Sequence, residues 1–408
     1  MWQFVAVIVT FLMLPVLTKK FKLNLTLSLI ICSLGIHLLV FRSLKVLYTV
    51  ILNTLSFTTI NVVLTIFLIS ILSNLMKHYG LLDDIVTSLK SLFKSRRLLI
   101  GAIPLVIGML SVPGGAYLSA PFVDDLGKDM NIAPEKRAVI NLTFRHIAML
   151  INPFSTPLLY IAASVPDLSI YKLILLNIPL ALVIMAGSVK LYMPGPRSFT
   201  DDKPNEYSKR ENIRRLLLGI SPIVIAILFN GILRIPMSAA IAISILWVWI
   251  ICPKKDFIDA IRKGLNFDLP VMILVVFFIQ NTILQMTDIM DTFKIMFESP
   301  STIVILLALL LGCFFIGTVT GLNLAVLGVF IPIILSLPLT TSELWLFVFF
   351  LNIWSFLGYY YSPLHLCQIL TIKYIDVPTL SVYKQHIKLF PWLAAVSFIL
   401  YYLYSLLL

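Results

Sequence analysis

Two adjacent residues, Arg145 and His146, place a permanent charge and a titratable imidazole inside an apolar run of the sequence. An arginine at membrane depth costs several kcal/mol unless it is paired or hydrated. Arg145 would therefore bind an anionic solute or a carboxylate, or it would extend to the cytoplasmic surface, about 10 Å away at 1.5 Å per residue. His146 and His365 would relay protons or serve as hydrogen-bonded structural residues.

A proline interrupts the same run a few residues later. Pro153 removes a helix hydrogen bond and should unwind the preceding turn, about 20 Å along the helix from its cytoplasmic end. A second break is expected at Pro363. Polar side chains surround both breaks, and we expect them to bind solute or ion: Asn152, Ser155 and Thr156 at the first, and Asn352, Ser355, Ser362 and His365 at the second.

Two other apolar stretches, 98–123 and 301–337, are interrupted by glycine, proline and hydroxyl residues. They hold eight of the 17 glycines, and glycine and proline permit a tight reversal of the backbone. We predict that each stretch is a re-entrant helical hairpin; the alternative is ordinary spans whose small residues pack against neighbours. The candidate binding residues at the tips are Ser111, Pro113, Gly114, Gly115 and Ser119, and Gly317, Thr318, Thr320, Gly321 and Asn323.

A hairpin tip at membrane depth leaves backbone N–H and C=O groups without helical partners. The N-terminal end of a half-helix attracts an anion, and loose carbonyl oxygens hold a cation. This chemistry predicts a site for a solute and a coupling ion, Na⁺ or H⁺. The sequence contains no common hydrolase, metalloprotease or nucleotide-binding motif, so we expect no enzyme activity, no cofactor and no metal site.

The composition indicates the fold class of the protein that contains these residues. Of 408 residues, 60% are hydrophobic and 12% are charged, and the mean hydropathy is +1.01. Such a chain cannot cover a soluble globule with polar residues, and its continuous apolar runs do not alternate as β-barrel strands do. We therefore predict an all-α polytopic membrane protein. The four cysteines stand singly in apolar stretches and are assigned to the packed interior.

Ten apolar runs are long enough to cross the hydrocarbon layer, which needs about 20 helical residues. Three amphipathic stretches should lie in the membrane surface, at 43–55, 81–97 and 254–265. The predicted spans are 2–18, 24–41, 57–76, 136–164, 170–192, 214–233, 236–252, 269–287, 344–370 and 388–408.

Corresponding features recur at a nearly constant shift of 209 to 211 residues, which indicates an internal repeat. Asn152 corresponds to Ser362, and Gly108 corresponds to Gly317. Because each repeat has five crossings, the second is inverted relative to the first. We predict a first repeat over 1–193 (scaffold 1–56, transport part 57–193), a cytoplasmic linker over 194–213 and a second repeat over 214–408 (scaffold 214–266, transport part 267–408).

The basic residues test this topology. Of the 31 lysines and arginines, 25 fall on one side of the ten crossings and five on the other, and Arg145 lies within a span. Basic residues accumulate in cytoplasmic loops, so both termini should face outside. Hairpin 98–123 should then enter from the cytoplasm and hairpin 301–337 from outside. The net charge of +12 reflects this loop distribution, and we expect no nucleic-acid partner.

Two motifs carry a resemblance to known proteins: SVPGGAYLSAPFVDD (Ser111 to Asp125) and NLTFRHIAMLINPFSTPLLY (Asn141 to Tyr160). The chain resembles the ion transporter superfamily, whose members share inverted repeats of five spans plus one hairpin. Within it, the chain is similar to the family of prokaryotic integral membrane proteins called domain of unknown function 401. The resemblance extends over essentially the whole chain.

This resemblance implies relatives that carry gluconate, citrate, dicarboxylates, lactate or arsenite, mostly anions moved with Na⁺ or H⁺. It also implies an elevator mechanism, a homodimer and a prokaryotic cytoplasmic membrane. We therefore expect a secondary active transporter of a small, carboxylate-like anion. The alternatives are an uncoupled exporter or flippase of a lipid-linked or peptide substrate, an intramembrane enzyme that uses His146 or His365, and a channel.

Overall fold

The structure, a computed structural model, describes residues 2–109, 115–193, 207–252, 255–287, 291 and 302–407. Regular secondary structure in these ranges is helical throughout, which confirms the predicted class. The helices before residue 194 are α1 (Trp2–Pro15), α2 (Leu25–Val40), α3 (Leu44–Thr54), α4 (Phe57–His78), α5 (Leu81–Leu92), α6 (Arg96–Met109), α7 (Gly115–Asp129), α8 (Pro134–Ile151), α9 (Thr156–Ser164) and α10 (Ile170–Tyr192).

Ten described helices follow residue 206. They are α11 (Lys209–Gly231), α12 (Met237–Ile251), α13 (Phe257–Gly264), α14 (Asp268–Leu284), α15 (Thr302–Thr320), α16 (Asn323–Leu335), α17 (Thr341–Tyr360), α18 (Leu366–Ile375), α19 (Thr379–His386) and α20 (Phe390–Leu407). A π-helical turn (Val16–Lys20) follows α1, and a 3₁₀ turn (Ile387–Leu389) precedes α20.

Seven stretches of the described residues are long and apolar enough to cross a membrane, or eight if α13 and α14, bent by 41°, form one span. Of the predicted spans, 24–41 and 236–252 form shorter apolar helices, α2 with 16 residues and α12 with 15. The seven stretches are Phe57–His78, Pro134–Ser164, Ile170–Tyr192, Lys209–Gly231, Ile303–Thr320, Thr341–Tyr360 and Thr379–Leu407.

Large apolar side chains cover the outer helices. Leu38 in α2, Leu217 in α11 and Leu246 in α12 are 63%, 65% and 58% exposed. In water such a surface would be unfavourable, whereas lipid tails are as apolar as leucine and accept it. With its long apolar helices, the chain has the build of a polytopic membrane protein.

Six of the described helices begin with a side-chain cap, in which a Ser, Thr or Asn oxygen accepts a hydrogen bond from a first-turn N–H. The capping residues are Asn24, Ser43, Ser56, Ser169, Ser208 and Thr340. By contrast, α9, α16 and α18 begin after Ser155, Leu322 and His365 with no side-chain cap. The first-turn N–H groups of these three helices are therefore not used by a cap of their own.

Glycines allow very close helix packing in both halves. A Cβ added at Gly101 in α6 would lie 2.6 Å from the Phe144 ring in α8. In the second half, a Cβ at Gly317 in α15 would lie 2.9 Å from the Gly358 Cα in α17. The glycines thus let α6 pack closely on the long buried helix α8, and α15 on the long buried helix α17.

Polar contacts join the two halves at the centre of the molecule. The Asn141 amide in α8 donates to Thr371 Oγ1 in α18 (2.9 Å), and the Tyr360 hydroxyl in α17 donates to Thr143 Oγ1 in α8 (2.7 Å). The end of α17 and the short helix α18 therefore pack directly on the first half. This crossing brings the two predicted breaks close together.

Helices α4 and α5 pack on α11, α12 and α13. Ser238 in α12 donates to Asn61 Oδ1 in α4 (2.5 Å). The apolar stripe of α5, predicted to lie in the membrane surface, is buried against α11, where Gly219 leaves room for Ile85. The stripe therefore contacts protein, and only α3 and α13 remain candidates for surface helices.

Candidate functional site

The first break lies between α8 and α9, as the position of Pro153 predicts. Asn152 directly follows α8 and donates its amide to the Met109 carbonyl at the end of α6 (2.6 Å). The Asn152 Oδ1 accepts a hydrogen bond from the Phe154 N–H (3.1 Å), which closes a local turn. Helix α9 then restarts after Ser155.

The second break, between α17 and α18, repeats this arrangement. Ser362 donates its hydroxyl to the Thr318 carbonyl near the end of α15 (2.6 Å). Its oxygen also accepts from the Leu364 N–H (3.1 Å). Helix α18 restarts after His365, so both breaks are held to the end of a neighbouring helix by one side chain.

A sharp reversal joins α15 to α16. Gly321 adopts a φ of +67°, which glycine tolerates and other residues rarely do. A Cβ there would lie 2.9 Å from the Leu364 Cβ, so this tip touches the second break. Asn323, the first residue of α16, is buried, and its Oδ1 has no hydrogen-bond partner among the described residues.

A cavity of about 650 Å³ lies between these breaks. Exposed residues at its mouth include Lys19, Asn24 and Asp268, whereas its deeper wall is buried. Eight residues that the sequence proposed for binding line it: Arg145, His146, Asn152, Ser155, Thr156, Thr320, Gly321 and Asn323. The volume is typical of sites for small molecules, which range over about 300–1,000 Å³.

Three helix N-termini face this cavity. Its lining includes the first residues of α9, α16 and α18, namely Thr156, Asn323 and Leu366. Each helix lacks a side-chain cap, so first-turn N–H groups remain for a ligand. The exceptions are Pro157 in α9, which has no N–H, and Gln368 in α18, whose N–H donates to the His365 carbonyl (3.1 Å). Together with the partial positive charge of each terminus, the remaining N–H groups favour an anion.

Arg145 adds a full positive charge to the same cavity. Arg145 is only 8% exposed, and it lines the cavity. The guanidinium lies over the first residue of α7, since a Cβ at Gly115 would be 2.8 Å from Arg145 Cζ. The glycine thus leaves the space that the arginine head occupies.

Two histidines meet beside Arg145. His146 Nδ1 lies 2.6 Å from the Leu142 carbonyl, and its Nε2 lies 3.0 Å from His365 Nε2. The Cys367 thiol is also near, because the sulfur and one nitrogen of each ring all lie within 4.8 Å of one another. This cluster contains two of the predicted residues and one cysteine that had been assigned to the packed interior.

The sequence profile of the family described as "Protein of unknown function (DUF401)" matches residues 3–404. The chain belongs to this family. The match confirms the resemblance to this family that the motifs around Ser111 and Asn141 carry. A search of curated proteins found no match.

Several predicted residues of this DUF401 chain lie away from the cavity. Ser119 donates to Asn141 Oδ1 (2.6 Å), and Asn352 donates to Asn177 Oδ1 (3.2 Å). Ser355 donates to the Asn352 carbonyl (2.9 Å). Five more predicted residues do not line the cavity: Gly115, Gly317, Thr318, Ser362 and His365. His365 contacts His146, which does line it. Three others lie outside the described residues: Ser111, Pro113 and Gly114.

Sequence reasoning missed other residues of the DUF401 cavity. Tyr359 and Cys367 line it, and the Tyr359 ring packs 4.2 Å from the His365 ring, centroid to centroid. Both residues lie within four positions of Pro363. This closeness could have predicted them, because a proline break brings the residues on either side of it to the same place. Asp268 and Asn24 lie at the mouth and carried no comparable signal.

Proposed function

We propose that the protein is a secondary active transporter of a small anion of the carboxylate class. The observation that carries the proposal is the convergence of Arg145 and three uncapped helix N-termini on one cavity of about 650 Å³. Separate positive groups around a small space suit a compact anion with two or more oxygens.

Matching hydrogen bonds support the proposed internal repeat. The bond from Asn152 to Met109 and the bond from Ser362 to Thr318 are related by shifts of 210 and 209 residues. The turns that they close match as well, because the donors Phe154 and Leu364 differ by 210.

Close backbone contacts repeat at the same shift. A Cβ at Gly108 would lie 3.0 Å from the Ala148 Cβ, and a Cβ at Gly317 would lie 2.9 Å from the Gly358 Cα. These pairs are related by shifts of 209 and 210. On this basis we propose ten crossings with two hairpins, α6–α7 and α15–α16, in two halves of inverted topology.

The charge distribution gives the proposed orientation. Lys19, Asn24 and Asp268 mark the mouth of the cavity, and they lie at helix ends on the side that holds 25 of the 31 basic residues. Since basic loops are cytoplasmic, the cavity opens to the cytoplasm and both termini face outside. We therefore assign this conformation to the inward-facing state of a prokaryotic cytoplasmic membrane protein.

Transport requires that the site reach the other side, and we propose an elevator movement in a homodimer. Helices α4 and α5 pack on α11, α12 and α13, and α14 packs on α2, α3 and α4 on one side and on α16, across the proposed interface, on the other. These contacts favour a scaffold that includes α4, α5 and α14. The moving part then comprises α6–α10 and α15–α20. Its two segments begin at Arg96 and Thr302, whereas the sequence analysis placed their starts at residues 57 and 267.

A coupling ion completes the proposal. Helix carboxyl ends lie beside the cavity at Gly108 near the end of α6 and at Thr320 at the end of α15. Carbonyl oxygens at such ends can coordinate Na⁺, so Na⁺ is one candidate ion and H⁺ is the other. An uncoupled exporter would show equal rates with either gradient or none.

Counterflow in proteoliposomes tests this function. Purified protein is reconstituted, and the exchange of labelled mono-, di- and tricarboxylates is measured with an inward Na⁺ gradient, an inward H⁺ gradient or neither. We expect saturable exchange of at least one carboxylate, accelerated by one gradient. Absence of uptake or exchange for every anion under all three conditions contradicts the proposal.

Arg145→Gln provides the matched variant, with Arg42→Gln as control because Arg42 is exposed and does not line the cavity. We expect Arg145→Gln to lower transport at least tenfold and Arg42→Gln to leave it unchanged. Equal transport by both variants would show that the cavity does not bind the anion through Arg145.

A further inference from the structure

We propose that His146, His365 and Cys367 form a binding site for a thiophilic transition-metal ion of the Zn²⁺ class. The three ligand atoms already lie within 4.8 Å of one another. Imidazole nitrogen and thiolate sulfur are the ligands that such ions prefer, whereas Na⁺, Mg²⁺ and Ca²⁺ prefer oxygen. The site is therefore separate in chemistry from any site for the coupling ion.

The hydrogen bonds of His146 direct one lone pair at the proposed ion. A carbonyl oxygen only accepts hydrogen bonds, so Nδ1 carries the proton that is shared with Leu142 (2.6 Å). In the neutral ring, Nε2 is then unprotonated, and it faces His365. A backbone partner of this kind is the usual device that fixes the tautomer and the orientation of a metal-binding histidine.

The distances require only small movements. In a tetrahedral zinc site, metal–nitrogen bonds of about 2.05 Å and a metal–sulfur bond of about 2.3 Å place two nitrogens about 3.3 Å apart and a nitrogen about 3.6 Å from sulfur. The two Nε2 atoms are 3.0 Å apart, so they must separate by a few tenths of an ångström. The sulfur must approach by at most about 1.2 Å.

Two of the three ligands stand next to one helix start. His365 precedes α18 and Cys367 lies in its first turn, so the backbone of one short segment holds both side chains near the proposed ion. Binding releases the thiol proton to cavity water, and the proton shared by the two rings moves to the other nitrogen of His365. The thiolate offsets part of the charge that the ion adds beside Arg145.

The cavity supplies the remaining coordination position. His146 and Cys367 both line it, so an ion held by the three side chains would present its fourth position to the cavity. Three protein ligands and one open position are the arrangement of zinc sites that bind a small ligand. An oxygen of a bound anion or a water molecule would occupy that position.

Cobalt(II) is the probe for this site. Detergent-purified protein is stripped with a chelator and titrated with Co²⁺, and the near-ultraviolet band of thiolate-to-cobalt charge transfer is recorded. We expect a band that saturates at one Co²⁺ per chain and is lost when Zn²⁺ is added. A titration of the folded wild-type protein with no such band overturns the proposal, because that experiment needs no variant.

Variants assign the ligands. Cys367→Ser should remove the band, and His365→Asn should weaken Co²⁺ binding at least tenfold. Cys313→Ser is the control, because Cys313 is buried in α15 and is not in the cluster. A band that survives Cys367→Ser in monodisperse protein, or that disappears only in Cys313→Ser, overturns the assignment.

This inference goes beyond the proposed function and fails separately from it. Metal binding is measured in detergent without any solute or gradient, and counterflow is measured in chelator-treated vesicles. A protein that exchanges carboxylates but gives no cobalt band contradicts only the metal site. A protein that binds cobalt but moves no anion contradicts only the transporter.

Discussion

The side-chain amide of Asn152 donates a hydrogen bond of 2.6 Å to the carbonyl oxygen of Met109, the last residue of α6. A carbonyl at a helix end has no partner within its helix. The bond therefore satisfies an orphaned acceptor and holds the first break against the tip of a neighbouring helix. Ser362 does the same for the Thr318 carbonyl in the second half.

Asn152→Ala should destabilise the protein by about 1–3 kcal/mol, because the partly buried Met109 carbonyl loses its partner. Ser362→Ala should act in the same direction. Asn53→Ala is the control, since Asn53 lies exposed on α3. Thermal unfolding in detergent measures the difference. A melting temperature for Asn152→Ala equal to that of Asn53→Ala would show that the bond contributes nothing.

The contact between α15 and α17 gives a second stability prediction. A Cβ at Gly317 would lie 2.9 Å from backbone atoms of Gly358, and backbone cannot move aside as a flexible side chain can. Gly317→Ala should therefore cost about 1–3 kcal/mol through overpacking. In α2, a Cβ at Gly35 would meet Thr10 Cγ2 at an ordinary 3.6 Å.

Gly35→Ala is accordingly the matched control. Alanine favours helix by up to about 1 kcal/mol over glycine, so this variant should melt at or above the wild-type temperature. Both proteins are compared by thermal unfolding in one detergent. If Gly317→Ala is as stable as Gly35→Ala, the two helices are not in close contact in the folded protein.

Local chemistry made the helical class and the two breaks predictable. Continuous apolar runs favour helices in lipid because every backbone group must be paired within the segment. A proline in such a run removes one of these bonds, and Pro153 and Pro363 both lie at observed interruptions. Asn152, Ser155 and Thr156 could therefore be placed at a site without knowledge of the tertiary structure.

The orientation of fully buried helices was not predictable in the same way. Asn352 and Ser355 lie on α17, which is buried on nearly all sides, so periodicity gives no direction to the cavity. Asn352 instead bonds with Asn177. The pairing of His146 with His365 spans 219 residues and depends on how the halves cross, which no local pattern in one sequence specifies.

The position of Arg145 predicts an effect of Gly115 on solute affinity. A Cβ at Gly115 would meet the far end of the Arg145 side chain, which can swing away at little cost in stability. Gly115→Ala should therefore displace the guanidinium from its place in the cavity. We expect the solute to bind at least tenfold more weakly, which is about 1.4 kcal/mol, with a nearly unchanged melting temperature.

Gly127→Ala, in the same helix, should show the opposite pattern. A Cβ at Gly127 would lie 2.5 Å from Arg137 Cδ, and Arg137 pairs with Asp124 at 3.1 Å in a largely buried ion pair. Breaking such a pair costs about 3–5 kcal/mol, so stability should fall while affinity is kept. Solute titration and thermal unfolding are measured on both variants; a stable, weak-binding Gly127→Ala protein would contradict this division.

Cross-linking tests where the moving part begins. Asn61 in α4 and Ser238 in α12 are joined by a hydrogen bond of 2.5 Å, and both belong to the proposed scaffold. The pair Asn61→Cys and Ser238→Cys is introduced into a chain whose Cys32, Cys252 and Cys313 are serine. After oxidation, we expect counterflow to remain at half or more of the rate of the reduced protein, because no moving contact is fixed.

The matched pair is Tyr160→Cys in α9 with Gln280→Cys in α14, where the Tyr160 hydroxyl now donates to Gln280 Oε1 at 2.5 Å. This pair crosses the proposed interface between the moving part and the scaffold. Because this bond joins the tips of two long side chains, the two cysteines are too far apart for a direct disulfide, and a bifunctional methanethiosulfonate is used to bridge them. The cross-link should lower counterflow more than tenfold, and reduction should restore it. If the cross-link at Asn61 blocks transport and the one at Tyr160 does not, α4 moves with the solute and the boundary lies before it, at residue 57.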